Sequence, residues 1–477
     1  MAAKLAGRIG MRKSSLWKTT SAVFALWAVT AVASSAQTFT NLVSFGGADG
    51  CAPYTMSMVQ GTDGNLYGTA DAGGTDNLGT IFRVTPGGTL TTLHDFSAPG
   101  GINPINGLDL AADGNFYGAT WYGGTNQWGT IFKVSLSGEL TTLYDSSSTV
   151  GVVNTLVQGE NGNFYGTGCI PNSATATPCL AYGPGTVFKL TPGGTLTVLD
   201  TLSGVDGWGP SELIQATDGN FYGATYGGGA SCCGTVFKIS PGGALATLHS
   251  FSGTDGNGPT AGLVQGIGAN SPERDLYGTA FSGGADGYGS VYKITLEGTL
   301  TTLHNFDGTE GANPYAGLVQ GTDGNFYGTT LNGGTDNWGT VFEITPRGRF
   351  TMLHTFTGPD GLRPYGGLVQ ATDGSFYGTT DQGGSTGCGT IFSLSVGLGP
   401  FVRALPHSGQ VGRVIRILGT DLTGATAVTF NGAPAAFTID APTEITATLP
   451  AGATSGKIQV TTPGGTLMSA GPFTVLP

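Results

Sequence analysis

The sequence predicts an all-β chain, a seven-bladed β-propeller followed by a small immunoglobulin-like β-sandwich. Three observations predict it. A Tyr-Gly pair recurs at Tyr67, Tyr117, Tyr165, Tyr222, Tyr277, Tyr327 and Tyr377, at spacings of 48 to 57 residues. Each pair lies in a unit with four strand-like runs separated by turn residues, which is the make-up of one propeller blade. The composition suits short strands and tight turns, with 86 Gly beside 24 Phe and 16 Tyr and only 10% charged residues.

Residues 1–36 stand apart. Lys4, Arg8, Arg12, Lys13 and Lys18 form a basic start without acids, and residues 21–33 (SAVFALWAVTAVA) are an apolar run. Small residues follow at Ser34, Ser35 and Ala36. This is the pattern of a secretory signal peptide cut near Ala36. The apolar run is shorter than the roughly 20 residues that span a bilayer, so no membrane insertion is expected after cleavage. Losing five of the 18 Lys+Arg leaves 13 against 30 Asp+Glu. Such an acidic chain is repelled by nucleic acid and anionic lipid, which excludes both as partners.

Residues 37–397 carry the repeats. In 317–356 the four runs are GLVQ, NFYGTT, GTVFEIT and RFTMLHTF, here strands A to D. The Asp-Gly-Asn between A and B predicts a tight two-residue hairpin. Strand C occurs seven times, but the first strand D (FTNLVSF, 39–45) precedes the first strand A, and the last strand C has none after it. The N-terminal strand is therefore expected to complete the seventh blade and close the ring, leaving no exposed edge. Insertions fall between Cys169 and Tyr182 in the third repeat and at IGANSPERD in the fifth. Residues 400–477 alternate short strands with Gly and Pro turns, as a small sandwich does.

The DGNFYG, GGTDNWGTVF and TLTTLHSF blocks over 38–396 resemble the GloVer-type tandem repeat of bacterial surface and secreted proteins. The segments PHSG (406–409), VTFNG (428–432) and GKIQVTTPG (456–464) resemble the IPT/TIG immunoglobulin-like domain. The resemblance implies a secreted, cell-surface or periplasmic repeat protein without a defined reaction. No C-terminal sorting anchor is seen after the last strand.

Catalytic patterns are absent from the sequence: no HExxH, CxxC or P-loop occurs. No cofactor and no metal are expected. His94, His249, His304 and His354 share one strand-D position on different blades, too far apart to share a metal. Asp63, Asp113, Asp218, Asp323 and Asp373 each precede Gly in the A–B turn, which reads as turn chemistry. Glu212 and Glu310 break the repeat but have no evident partner in the sequence, so no catalytic residue is assigned.

The aromatic distribution is more informative. Antiparallel connectivity puts the B–C and D–A loops on one face of the ring. Trp121, Trp128, Trp208 and Trp338 all fall there, with Tyr122, Tyr226, Tyr288, Asn126, Asp336 and Asn337. Flat aromatics beside amides and carboxylates suit sugar rings. The expected function is non-enzymatic binding of an extracellular glycan or protein through this face, and the alternative is a carbohydrate-active hydrolase or lyase.

Six cysteines and a secretory signal predict disulfides. Ring closure brings Cys51 and Cys388 together, and Cys169 and Cys179 bracket the third-repeat insertion. Cys232 and Cys233 are adjacent, and a vicinal bridge, free thiols and pairing elsewhere all remain open.

Overall fold

The computed structural model describes residues 37–54, 57–98, 100–170, 183–268 and 274–477. The expected signal peptide and Cys179 lie outside these residues. The described residues contain strands and turns but no helix. None of them forms a helix long and apolar enough to cross a membrane.

Among the described residues, seven sheets follow the repeats, each in the order A-B-C-D. The first comprises Val59–Gln60, Leu66–Ala70, Thr80–Val84 and Leu90–Asp95. In the seventh, Thr38–Ser44 pairs antiparallel with Thr390–Ser395 and stands where strand D should be. Strand A is shorter than its four-residue run in most sheets, with only two paired residues.

Strands B and C are apolar on both faces because each sheet is sandwiched between two neighbours. The core is accordingly a series of clusters, one per sheet junction. Tyr67, Ile81 and Phe96 of the first sheet meet Phe116 and Phe132 of the second. The junction that closes the ring sets Leu66, Phe82 and Val84 against Tyr377 and Ile391 of the seventh sheet.

A polar seam runs around the A–B face. The strand-A glutamines Gln60, Gln158, Gln215, Gln265, Gln320 and Gln370 each accept a backbone N–H from the preceding sheet, at 2.8–3.0 Å. Gln60 accepts from Thr372, so the seam crosses the closure. The second sheet has Leu110 at this position, and the C-terminal domain uses it: Leu418 and Leu405 pack into the same cluster as Leu110.

The A–B turn differs from the two-residue hairpin expected. Five residues, from Gly61 to Asn65, connect the strands, and Gly61 N–H bonds Asn65 O at 2.8 Å. Asp63 Oδ1 accepts the Asn65 N–H, and Asp63 Oδ2 accepts the Tyr67 hydroxyl at 2.7 Å. Asp113, Asp218, Asp323 and Asp373 hold Tyr117, Tyr222, Tyr327 and Tyr377 in the same way. The Asp side chain thus replaces the tight turn by capping the loop and satisfying a buried phenol. That is why Asp and Tyr recur four residues apart.

Residues 401–476 form a β-sandwich with Ile415, Ile417, Val428, Phe430, Ile445, Ile458 and Phe473 in its core. It rests on the A–B face. Thr443 Oγ1 donates to Thr62 O, Arg403 Nη2 to Gln370 O and Phe401 N–H to Thr372 O. Arg416 lies against Gly114 and Gly471 against Ile267. These contacts reach the first, second, fifth and seventh sheets, so the domain lies across the ring axis at this face.

Cys51 and Cys388 form a disulfide across the closure, with sequence separation 337. Of the alternatives left open for Cys232 and Cys233, the structure has the free thiols. Cys232 and Cys233 carry no disulfide, and Cys233 Sγ instead donates to Ser231 O. Cys169 is buried at the end of its strand B, and its expected pairing with Cys179 lies outside the described residues.

Candidate functional site

The face opposite the C-terminal domain is built from B–C and D–A loops tied by a repeated bond. The residue before the loop proline takes a left-handed backbone, with φ of 53° at Ala52, 55° at Asn103 and 56° at both Asn313 and Arg363. Its carbonyl accepts the N–H of the first residue after strand B, namely Asp71, Trp121, Leu331 and Asp381 in turn. The two loops are locked together, and the side chains beside the lock are positioned by backbone.

Three of those side chains meet. Tyr54 stacks on Tyr365 at 4.1 Å between ring centroids, and Tyr315 meets Tyr365 edge-on at 5.1 Å. Phe281 adds a further edge contact to Tyr315. These residues belong to the first, seventh, sixth and fifth sheets, and side chains from so many blades converge only near the axis. Burial, with Tyr365 beside it, raises the Tyr54 phenol far above its ordinary range.

Polar groups flank the aromatics. Asp381 is buried, and desolvation lifts its carboxyl to about 6, with Asp71 adding repulsion and Arg363 opposing it. Burial also raises Asp71, whose Oδ1 has no hydrogen-bond partner. Trp121 Nε1 is likewise buried without a partner. Asp71 and Asp381 thus lie with the aromatic rings as two carboxyls held largely out of water.

A cavity of about 200 Å³ lies among the innermost strands, lined by Ser57, Asn106, Asp109, Thr155, Val157, Glu212 and their neighbours. Asp109 and Glu212 depart from the repeat. Asp109 stands where other sheets have Val59, Val157, Ile214, Val264, Val319 and Val369. Glu212 stands where they have Gly or a small hydroxyl residue. Asp109 Oδ2 accepts the Gln158 N–H at 3.1 Å, and the Glu212 carboxyl lies along the backbone of Gly262. Desolvation raises Asp109 to about 6 and Glu212 to about 7, the latter helped by repulsion from Asp109. Both are encircled by protein yet keep some accessible surface, a combination that belongs to side chains facing an enclosed space.

The sequence-predicted aromatics fall into two groups. Trp121 and Tyr226 share the repeat position four residues past the Tyr of the Tyr-Gly pair, just after strand B in one copy and within it in the other. Trp128, Tyr288 and Trp338 share the position before strand C. There the Trp338 ring covers Gly358 and Tyr288 covers Gly308, over the outer half of their own sheets. Trp338 is 38% exposed and Tyr288 46%. Cys388 stands at the same position as these three, so one site in the repeat serves either as a loop cover or as the disulfide. Trp208 packs on Tyr226 at 5.6 Å. Tyr122, Asn126 and Asn337 are exposed, although Asn126 Nδ2 donates to Ser146 O and Asn337 Oδ1 accepts the Gly333 N–H. These ten residues, Asp336 among them, are spread over several loop positions. The histidines pair locally, His249 with Asp255 and His354 with Asp360 at 2.9 Å, and the described residues contain no group of three or more His, Cys, Asp or Glu placed to hold a metal.

The family described as the Gloeobacter/Verrucomicrobia repeat matches residues 26–175 and 173–392, most of the chain. The chain belongs to the Gloeobacter/Verrucomicrobia repeat family. An IPT/TIG domain matches residues 401–475. No curated protein matches this repeat protein. Among solved structures it is similar to virginiamycin B lyase from Staphylococcus aureus, with 13% identity and a TM-score of 0.50 over 76% of this chain and 99% of that one. A gluconolactonase from Xanthomonas campestris shows 13% identity and a TM-score of 0.38, over 72% of this chain and 88% of that one. The likeness to the lyase supports the propeller fold alone.

The mouth and channel residues of this repeat protein were not singled out in sequence, apart from Trp121, Tyr226 and Glu212. Each carries a signal, a departure from its column of the repeat. Pro-Tyr precedes strand A in only the first, sixth and seventh copies, and Asp replaces the usual apolar residue at 71, 109 and 381. The buried acids also mark the stability profile. An acid raised from about 4.5 to about 7 favours the fold below its unfolded pKa, and that contribution is lost as pH climbs through 7. Glu212→Gln is therefore expected to stabilise the repeat protein at pH 8, by on the order of 2–3 kcal/mol, and to be near neutral at pH 4. Urea titrations at the two pH values check this, and an equal effect at both would refute it.

Proposed function

We propose that this protein is a non-enzymatic, secreted binding protein that takes a glycan at the axial mouth of its B–C and D–A face. The observation that carries the reading is the meeting of Tyr54, Tyr315 and Tyr365 beside Asp71 and Asp381. Ring faces offer stacking area, and the Asp71 carboxyl, on a residue that keeps some exposure, offers an acceptor for hydroxyl groups. The C-terminal domain lies on the other face. The Cys51–Cys388 disulfide and the lack of a membrane-crossing helix among the described residues are compatible with an extracellular protein.

A glycan-array screen followed by titration of the best ligand tests the reading. Tyr365→Ala is expected to weaken binding by about 1–3 kcal/mol. An unchanged affinity would place the ligand elsewhere. One observation favours a second reading, a carbohydrate-active enzyme: Asp109 and Glu212 are buried carboxyls raised toward neutrality in one cavity, as a general acid and base are. Turnover of a glycoside that Glu212→Gln abolishes would favour it over binding alone.

A further inference from the structure

The two carboxyls inside the ring bear on the chemistry of what enters. Asp109 and Glu212 line the same cavity. Among the described residues neither forms an ion pair with Lys, Arg or His. Asp109 has a single backbone N–H, and no hydrogen bond is made to the Glu212 carboxyl. The remaining lining is neutral, with Ser57, Asn106 and Thr155 among it. A carboxylate held by protein on all sides without a cation is a costly arrangement. At both positions the repeat offers apolar or small residues that would avoid it, so the acids do not serve the blade.

We propose that the cavity takes the ammonium group of a small amine-bearing ligand, an amino sugar, with Asp109 and Glu212 as its counter-ions. This inference rests on the glycan reading of the mouth and narrows its substrate class. Three further features agree with it. The chain carries a net charge of −12, which draws cations toward it. The mouth itself carries Asp71, Asp381 and the rings of Tyr54, Tyr315 and Tyr365, and aromatic rings attract ammonium groups. The space of about 200 Å³ is smaller than the roughly 300–1,000 Å³ of pockets for drug-sized ligands, which suits a single sugar unit.

Ammonium binding requires ionised carboxylates, so it competes with their protonation. Affinity should rise as pH moves from 5 to 7, across the range where burial has placed both groups.

Calorimetric titration of the full chain with glucosamine, N-acetylglucosamine and glucose at pH 5 and pH 7 tests the proposal. Glucosamine is expected to bind at least about tenfold more tightly than its acetylated form at pH 7, with most of that preference gone at pH 5. Asp109→Asn and Glu212→Gln should each abolish the preference. Both keep the side-chain volume, and melting curves at pH 5 report their folding. Equal affinities for the three sugars would overturn the proposal, as would a preference that survives in the double variant. Binding of calcium chloride alone, lost in both variants, would also overturn it by showing a metal site. If neutral sugars bind and Tyr365→Ala removes that binding, the mouth reading stands and the amine inference falls. If no sugar binds at any pH, both fall.

Discussion

Deleting residues 37–44 from the mature chain is expected to lower stability by at least about 5 kcal/mol and to promote association. The lost strand is the outer strand of the seventh sheet, paired from Thr38–Ser395 to Ser44–Thr390. Phe39 stacks on His354 at 3.6 Å and on Phe392 at 5.2 Å, so its removal uncovers the junction between the sixth and seventh sheets as well as a strand edge. The buried Ile391, Phe392 and Leu394 lie on the strand whose outer edge is left unpaired. Thermal melts and size-exclusion chromatography measure both effects. A melting temperature unchanged within 2–3 °C, which is below ~1 kcal/mol for a domain of this size, would show that the strand does not hold the ring shut.

The second large effect is expected at the disulfide. Cys51 and Cys388 are separated by 337 residues, so the bridge constrains a very long loop in the unfolded chain. The loop-entropy relation gives about 6 kcal/mol for its removal as an upper bound. Cys51→Ser with Cys388→Ser should lower the melting temperature, and reductant should do the same to the parent chain only. Non-reducing peptide mapping should recover the Cys51–Cys388 cross-link. The local structure already holds the two loops together, since Ala52 N–H donates to Cys388 O at 3.0 Å and Cys51 pairs with Ala72. The covalent bond therefore adds to a preformed contact, and the double substitution should weaken the ring without preventing it from forming.

The fold was legible because a repeated sequence states each rule many times. The displaced strand D at 39–45 sufficed to predict the pairing with Thr390–Ser395, since a ring leaves that strand only one vacant place. The A–B turn was misread because Asp-Gly was weighed as a φ preference alone. Tyr67, four residues after Asp63, was the missing clue that the carboxylate reaches forward to a phenol.

The candidate site was less legible for a related reason. Attention to what recurs selects Trp128, Tyr288 and Trp338, which share a repeat position, and two of which, Tyr288 and Trp338, cover loop glycines. The axial residues stand out only by deviation. Asp109 replaces Val and sits six residues before the invariant-looking Asn-Phe-Tyr-Gly block at 115–118, so a column-by-column comparison of the copies exposes it. Which deviations meet is a different question. Tyr54 and Tyr365 are 311 residues apart in sequence, and their stacking follows from closure of the ring.

The central claim is that ligand binds on the axis of the B–C and D–A face. A crystal structure of the full chain with its best array glycan tests it most directly. The expected result is density in contact with Tyr54, Tyr315 or Tyr365, with a hydrogen bond to the Asp71 carboxyl. Density seated over Trp128 or Trp338 on the outer loops, or between the ring and the C-terminal domain, would contradict it.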